Sequence, residues 1–191
     1  MNAAALAALF AVALLVAIAA YVVLASYNAI VALRQRIDKA WANIDVVLKQ
    51  RHDQLPNLVA AVKGLMAFER DVLTEVTRAR AAYSSAAPIP DQAATSDATS
   101  SAVRSLLAVV ERYPDLKSEA NVQDLQREIE RLEAMIADRR ELYNDQVYRY
   151  NTAIGQVPGV LLASLFGWKT REFFAAESAE IRRPDTDLGA S

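Results

Sequence analysis

The chain begins with an apolar run, Ala3 to Ala25, that contains no charged and no strongly polar side chain. About 23 residues at ~1.5 Å each give roughly 35 Å of helix, which exceeds the ~30 Å hydrocarbon core of a bilayer. A cleaved signal peptide is the alternative, and small residues at 17–19 would permit cleavage. Such a peptide has basic residues before a shorter apolar run, and this chain has none there. We therefore predict that residues 1–26 form a retained transmembrane anchor.

Basic residues lie on only one side of this span. Arg34, Arg36 and Lys39 follow it, and no Lys or Arg precedes it. The positive-inside rule then predicts a protein of the bacterial inner (plasma) membrane, with the N-terminus outside and the helical domain in the cytoplasm. The same cations are candidate lipid contacts, each contributing roughly 1 kcal/mol near anionic lipid. The alternative is that they only set the topology.

Composition favours helices and argues against several chemistries. The 191 residues include 5 glycines and 6 prolines, and 53% are hydrophobic. There is no cysteine, which excludes thiol catalysis and thiolate metal sites. The net charge of -2 gives no indication of nucleic-acid binding. We predict no cofactor, no metal site and no nucleic-acid partner.

Apolar residues recur at steps of three and four in four later segments, the pattern of amphipathic helices. Such stripes must be buried together, so we predict an all-α fold, with the single transmembrane helix followed by an antiparallel bundle of about four helices over residues 27–157. The stripes run over Ile30–Leu48, Leu58–Val76, Val103–Val110 and Val122–Ile154.

One segment between the stripes predicts a connection, and the last stripe predicts a long helix. Ser84–Ser101 is rich in Ala, Ser, Thr and Pro, which predicts an exposed loop. The last helix of the bundle is predicted over about Ser118–Ile154.

The stretch RHDQLPNLV contains the single histidine, His52, beside Asp53. Successive residues on a helix point about 100° apart, so the two do not form a catalytic pair. We predict a helix break here, with Asp53 as N-cap and Pro56 in the first turn of the next helix. A single kinked helix stays open as the alternative, because the seven-residue apolar spacing continues across Pro56.

Residues 158–177 are predicted to form a short apolar and aromatic C-terminal helix, and 178–191 a disordered tail. The run PGVLLASLFGWK is too short to span a bilayer. Its edge carries Trp168, Lys169 and Arg171, residue types that suit a membrane interface, so all three join the candidate lipid contacts. The alternative is that this helix caps the open end of the bundle.

Two Tyr–Asn pairs, Tyr143–Asn144 and Tyr150–Asn151, lie one heptad apart. Buried asparagines in a helical seam can fix its register, and tyrosine hydroxyls can find partners while their rings pack. We predict a polar layer that sets helix register. A ligand site that also includes Arg139 is the alternative.

Five blocks of the sequence resemble the LemA family of bacterial membrane proteins. The blocks keep the family's order and cover about Tyr27 to Phe174. They are YNAIVALRQRID with AWANIDVVLKQRHDQLPNLVAAVKG, VTRAR, ERYPDLK, LQREIERLEAMIADRRELYNDQVYRYNTAI and PGVLLASLFGWK.

The resemblance implies one N-terminal span, a compact cytoplasmic helical domain and no established enzymatic activity. Where the family usually carries a His–Glu pair this chain has Phe68–Glu69, and where it carries Thr-Glu-Asn this chain has Leu132–Ala134. The lost polar groups argue further against chemistry at either place.

We therefore expect a non-enzymatic scaffold or membrane organiser that assembles with further copies of itself on the lipid bilayer. The alternative is a membrane-tethered sensor or adaptor that binds another membrane protein or a ligand.

Overall fold

The computed structural model describes residues 3–63, 70–115 and 119–175. Within these ranges the regular structure is helical and no strand occurs, so the predicted all-α class is confirmed. The predicted tail, 178–191, lies outside the described residues. The helices are α1 (Ala3–Lys63), α2 (Arg70–Ala81), α3 (Ile89–Val110), α4 (Ala120–Gly155) and α5 (Gly159–Phe166).

The described chain divides into two compact units. Unit 1 contains residues 3–42 and 141–171, and unit 2 contains 43–140, with the gaps given above, and 172–175. Because α1 and α4 are long, each contributes residues to both units.

In unit 2 the helices α1 and α2 pack antiparallel, and in unit 1 α1 packs on α4. The hydroxyl of Tyr83, just after α2, contacts Asp45 of α1. Arg80, which lies earlier in α2, contacts His52, which lies later in α1. In unit 1 the ring of Trp41 on α1 meets that of Tyr143 on α4 edge-on, with centroids 5.7 Å apart.

The apolar stripe predicted for α4 is its buried face. Of the nine predicted residues, all but Leu125 are buried. Burial of Leu, Ile and Val side chains contributes about 1.5–3 kcal/mol each before entropy losses, so this stripe fixes which face of α4 turns inward. The buried members are Val122, Ile129, Leu132, Ile136, Tyr143, Val147, Tyr150 and Ile154.

The helix break predicted at His52, Asp53 and Pro56 is wrong, because α1 continues through Pro56 to Lys63. Proline lacks an N–H and therefore leaves the carbonyl of the residue four positions earlier without its helical donor. Here that residue is His52, and the Arg80 Nε of α2 donates to its carbonyl oxygen over 3.4 Å. The neighbouring helix thus satisfies the group that Pro56 orphans, and Asp53 is an exposed residue inside the helix rather than an N-cap.

The exposed loop predicted over Ser84–Ser101 is wrong from Ile89 onward, where α3 begins. Pro88 is the N-cap residue and a second proline follows in the first turn, positions at which the missing N–H is tolerated. The buried face of this half of α3 carries Ala93, Ser96 and Thr99 in place of large apolar residues. Small side chains let neighbouring helices approach closely, and they leave no apolar stripe in the sequence.

Replacing Pro56 by Ala would test how α1 tolerates its proline. Alanine supplies the missing N–H, so we expect the unfolding free energy to rise by roughly 1–2 kcal/mol, less than the ~3 kcal/mol of proline in a helix interior because Arg80 already satisfies the carbonyl. Arg80→Leu should destabilise the native chain more than it destabilises the Pro56→Ala chain. Urea unfolding followed by circular dichroism measures both.

The control is Arg78→Leu, an exposed position on α2, which should have the same effect in both backgrounds. Equal effects of Arg80→Leu in the two backgrounds would contradict the assignment of its guanidinium to the His52 carbonyl.

Candidate functional site

Exposed apolar surface is concentrated in unit 1. Along the first part of α1, Leu9 is 62% exposed and Phe10 is 73% exposed. This helix is long and apolar enough to cross a membrane by length and composition. The exposed large apolar residues there are Leu6, Leu9, Phe10, Val12, Leu14, Leu15, Val16, Ile18, Tyr21, Val22, Val23 and Leu24.

A second apolar surface lies on α5. The helix begins at Gly159, where a Cβ would lie 2.0 Å from the Ala153 carbonyl oxygen and 3.2 Å from the Ile30 side chain, so only glycine permits this close packing. Gly159, Leu162 and Ala163 form its buried face. Its other face is exposed and mostly apolar, and consists of Val160, Leu161, Leu165 and Phe166 with one polar residue, Ser164.

α5 ends at Gly167, whose φ of 65° places it in the left-handed region that favours glycine. The Trp168 N–H then donates to the Ala163 carbonyl over 2.9 Å, which closes the helix end. The prediction of a helix over 158–177 is therefore corrected to 159–166. Residues 168–175 are described and are not helical.

Three aromatic rings and one guanidinium join α5 to α1. Tyr27 lies 5.1 Å from Phe166 and 5.6 Å from Trp168, measured between ring centroids. Phe166 stacks on Trp168 at 5.4 Å. The Arg34 guanidinium lies over the Trp168 ring at 5.9 Å, within the range of a cation–π interaction. We call Tyr27, Arg34, Phe166 and Trp168 the aromatic cluster.

The structure brings together some of the candidate lipid contacts. Arg34 and Trp168 meet in the aromatic cluster, whereas the side chain of Arg171 lies 3.4 Å from Asp38 of α1. Lys169, Arg36 and Lys39 are exposed. The exposed apolar residues of α5 were missing from the candidate set, because their sequence pattern does not separate a buried face from a free one.

The Tyr–Asn pairs hold the segment that follows α5. Asn151 donates from Nδ2 to the Arg171 carbonyl and accepts from the Arg171 N–H, both at 2.9 Å. The Tyr150 hydroxyl donates to the Lys169 carbonyl over 3.1 Å. These two residues bind non-helical backbone, and a role of Tyr150 and Asn151 in setting helix register stays a prediction.

The first Tyr–Asn pair has a different setting. Tyr143 is buried and packs on Trp41 of α1, an interhelical contact. Its neighbour Asn144 is half-buried. Both pairs belong to unit 1, whereas Arg139 of the alternative ligand site belongs to unit 2.

Unit 2 contains a polar network that sequence reasoning missed. Arg51 is 3% exposed, and its guanidinium donates to Glu133 Oε1 and Ser100 Oγ at 2.8 Å and to Ser96 Oγ at 3.0 Å. These partners lie on α3 and α4, so one side chain of α1 joins three helices. The available signal was the spacing Leu48, Arg51, Leu55, which places a cation at a position of the apolar stripe.

His52 lies beside this network. Its ring is 5.1 Å from the Tyr83 ring, and the Tyr83 hydroxyl is 3.3 Å from Asp45 Oδ1. Burial and the Asp45 carboxylate raise the pKa of Tyr83 to about 12. The phenol therefore stays protonated near neutral pH, which does not suit a general base.

Two further features bear on binding. Among the described residues, no three His, Asp or Glu side chains are grouped so that they could hold a metal ion.

A groove of about 550 Å³ lies in unit 2. It is lined by Val59 of α1 and by six residues of α2, Arg70, Leu73, Thr74, Thr77, Arg78 and Ala81.

Comparison with known proteins places the chain in a membrane context. The LemA family model matches residues 40–187. Two magnetosome proteins MamQ of Paramagnetospirillum magneticum are each 36% identical over 74 residues, and one of Magnetospirillum gryphiswaldense is 34% identical, each match covering 39% of this chain. The match spans 27% of the length of these relatives. With the apolar start of α1, these similarities indicate a membrane-associated helical protein.

Replacing Arg51 by Met tests the buried network. The change removes the guanidinium donor from Glu133 and from two serine hydroxyls, while the Ser100 hydroxyl still donates to the partly exposed Glu133 carboxylate, so we expect the unfolding free energy to fall by about 2–3 kcal/mol. Replacing Glu133 by Leu in the same chain should recover much of this loss, because no buried charge is left unpaired. Urea unfolding in mild detergent measures the differences.

Arg149→Met is the matched control. It removes an exposed ion pair with Asp145 and should change stability by less than about 1 kcal/mol. A loss for Arg51→Met no larger than that of Arg149→Met would show that the network does not hold the three helices.

Replacing Asn151 by Ala should release the segment after α5. Two hydrogen bonds to the Arg171 backbone are lost, a local destabilisation of about 2 kcal/mol. Lys169 and Arg171 are trypsin sites, so we expect faster cleavage there under native conditions. Asn57→Ala, which removes only an exposed contact with Gln54, is the control. Equal cleavage rates in the two variants would contradict the role of Asn151.

Proposed function

This chain belongs to the LemA family, and from that premise we propose that it is a non-enzymatic scaffold that assembles with copies of itself and organises the bacterial inner membrane. The observation that carries the proposal is the continuity of α1. One helix contains both the exposed apolar stretch and residues in the core of each unit. Because α1 continues from the apolar stretch without a flexible linker, contacts between copies outside the bilayer also position their apolar stretches within it.

Self-assembly is supported by the composition of the anchor. Alanines recur throughout residues 3–25, between the larger apolar side chains. Small residues let transmembrane helices approach closely, which is how such helices associate in the absence of a hydrophobic driving force between them. Similarity to magnetosome proteins agrees with a role at membranes, although the match covers only part of those proteins.

The residue composition and the side-chain contacts of the described residues support the non-enzymatic part of the proposal. The chain has no cysteine, and its one histidine, His52, packs against a Tyr83 phenol that stays protonated at neutral pH. Arg51 and Glu133, the most deeply placed ion pair described above, are engaged with each other and with serines. None of these groups is arranged as a nucleophile beside a base.

For the orientation we propose that the N-terminus lies outside and the helical units lie in the cytoplasm. The support is the asymmetry of basic residues, with Arg34, Arg36 and Lys39 on one side of the span only. The lipid bilayer and further copies of the chain are the proposed partners.

A sensor or adaptor is the second candidate. The groove beside α2 favours it, because a mostly apolar lining that also includes Arg70 and Arg78 suits an amphipathic anionic ligand or a segment of another membrane protein.

Electron microscopy of the full-length chain in bacterial membranes tests the scaffold. We expect ordered arrays of many copies for the native chain. Glycine at Ala25, Ser26 and Asn28 would weaken α1 by about 1 kcal/mol per position around the C-terminal end of the span. We expect that variant to stay in the membrane and to lose the order. Alanine at Ser26 and Asn28 is the matched control and should preserve it.

Small, separate particles for both the native chain and the alanine control would contradict a self-assembling scaffold and favour the sensor or adaptor. Ordered arrays in the glycine variant would contradict the requirement for a continuous α1.

A further inference from the structure

Two parts of the chain lack charged side chains, and the structure packs them together. No Asp, Glu, Lys or Arg precedes Arg34, and none lies between Arg149 and Lys169. Within unit 1, Tyr27 of the first stretch contacts Phe166 of the second, and Gly159 lies against Ile30. The two stretches therefore form one uncharged region.

The charged boundaries of the two stretches also coincide. Arg34 is the first charged residue of α1, and its guanidinium lies over the ring of Trp168, which directly precedes Lys169. A bilayer imposes the same polarity on every element at a given depth, with Trp, Tyr and basic residues at the headgroup level. A protein partner imposes no such common level. The coincidence therefore favours lipid over a protein surface.

The free face of α5 has the composition that lipid contact requires. Leu161 is 67% exposed, Leu165 is 76% exposed and Phe166 is 50% exposed. The helix has eight residues, about 12 Å, so it cannot cross the bilayer. Its two ends, at Gly159 and Phe166, contact α1 at Ile30 and Tyr27, which are only about 5 Å apart along the axis of α1. This geometry suits a helix that lies across α1 rather than alongside it.

The geometry points to α5 as a second membrane contact, an interfacial helix in the leaflet surface from which α1 emerges. Leu161, Leu165 and Phe166 contact acyl chains, while Trp168 and Arg34 lie at the headgroups. The inference rests on the membrane association in the proposed function and is independent of self-assembly. Two contacts fix the rotation of unit 1 about the axis of α1, which a single span cannot do.

The chain contains two tryptophans, which permits a direct measurement of depth. In the full-length Trp41→Phe variant, Trp168 is the single tryptophan and can be excited selectively at about 295 nm, beyond the absorption of the tyrosines. The protein is reconstituted in vesicles of phosphatidylcholine and phosphatidylglycerol with bromine atoms either near the headgroup or near the chain end. We expect Trp168 to be quenched more by the shallow bromines. In the Trp168→Phe variant, Trp41 should be quenched by neither.

A matched pair of substitutions tests the face itself. Leu161 is 67% exposed on α5, and Leu142 is 61% exposed on α4 of the same unit. In the Trp41→Phe background, Leu161→Glu should lose the shallow quenching of Trp168 because a carboxylate resists burial among acyl chains. Leu142→Glu should retain it. Both positions are exposed, so neither change disturbs the core.

Three results would overturn the inference. A chain that inserts in the vesicles while Trp168 remains unquenched would refute the interfacial helix and leave the anchor in place. A chain that does not stay with the vesicles would refute the membrane association of the proposed function as well. Unchanged quenching in Leu161→Glu, together with a smaller particle in detergent, would assign the face to a second copy of the chain.

Discussion

The guanidinium of Arg51 is the interaction on which the arrangement of unit 2 depends. It lies at a stripe position of α1, where the neighbouring stripe residues are Leu48 and Leu55. A buried cation is tolerated only when it is paired and its donors are satisfied, and here Glu133 and the two serines supply the acceptors. Because these hydrogen bonds are directional, they specify which faces of α3 and α4 turn toward α1. Apolar contacts alone would permit several rotations of each helix.

The same region lets α1 remain one helix. Pro56 would ordinarily favour a break, since the His52 carbonyl loses its donor. The Arg80 donor on α2 and the core contacts of Leu55 and Leu58 on either side of the proline offset that loss. Tertiary packing thus overrides a local preference. The consequence is that α1 continues as one helix from Ala3 to Lys63.

Sequence patterns predicted the parts of the fold that large apolar residues mark. The α4 stripe and the apolar start of α1 are of this kind. Sequence patterns could not predict the first half of α3, because its buried residues are small or polar and carry no hydrophobic period. These residues are Gln92, Ala93, Ser96 and Thr99. Two of the site's members, Arg34 and Trp168, were identifiable by residue type, but their contact joins residues far apart in sequence and depends on the fold.

Glycine and the absence of charge explain why α5 lies where it does. A side chain at Gly159 would collide with the Ala153 carbonyl, so this residue allows the chain to fold back from the end of α4 and pack on α1. Gly167 then ends the helix and turns the chain toward Asn151. If α5 only capped a protein core, its outer face would be expected to carry polar residues, as the solvated faces of α4 do. Apart from Ser164, that face instead carries Leu161, Leu165 and Phe166, next to the end of the apolar stretch of α1. An apolar outer face is stable beside a nonpolar solvent, and the bilayer is the nonpolar solvent that we propose for the apolar start of α1.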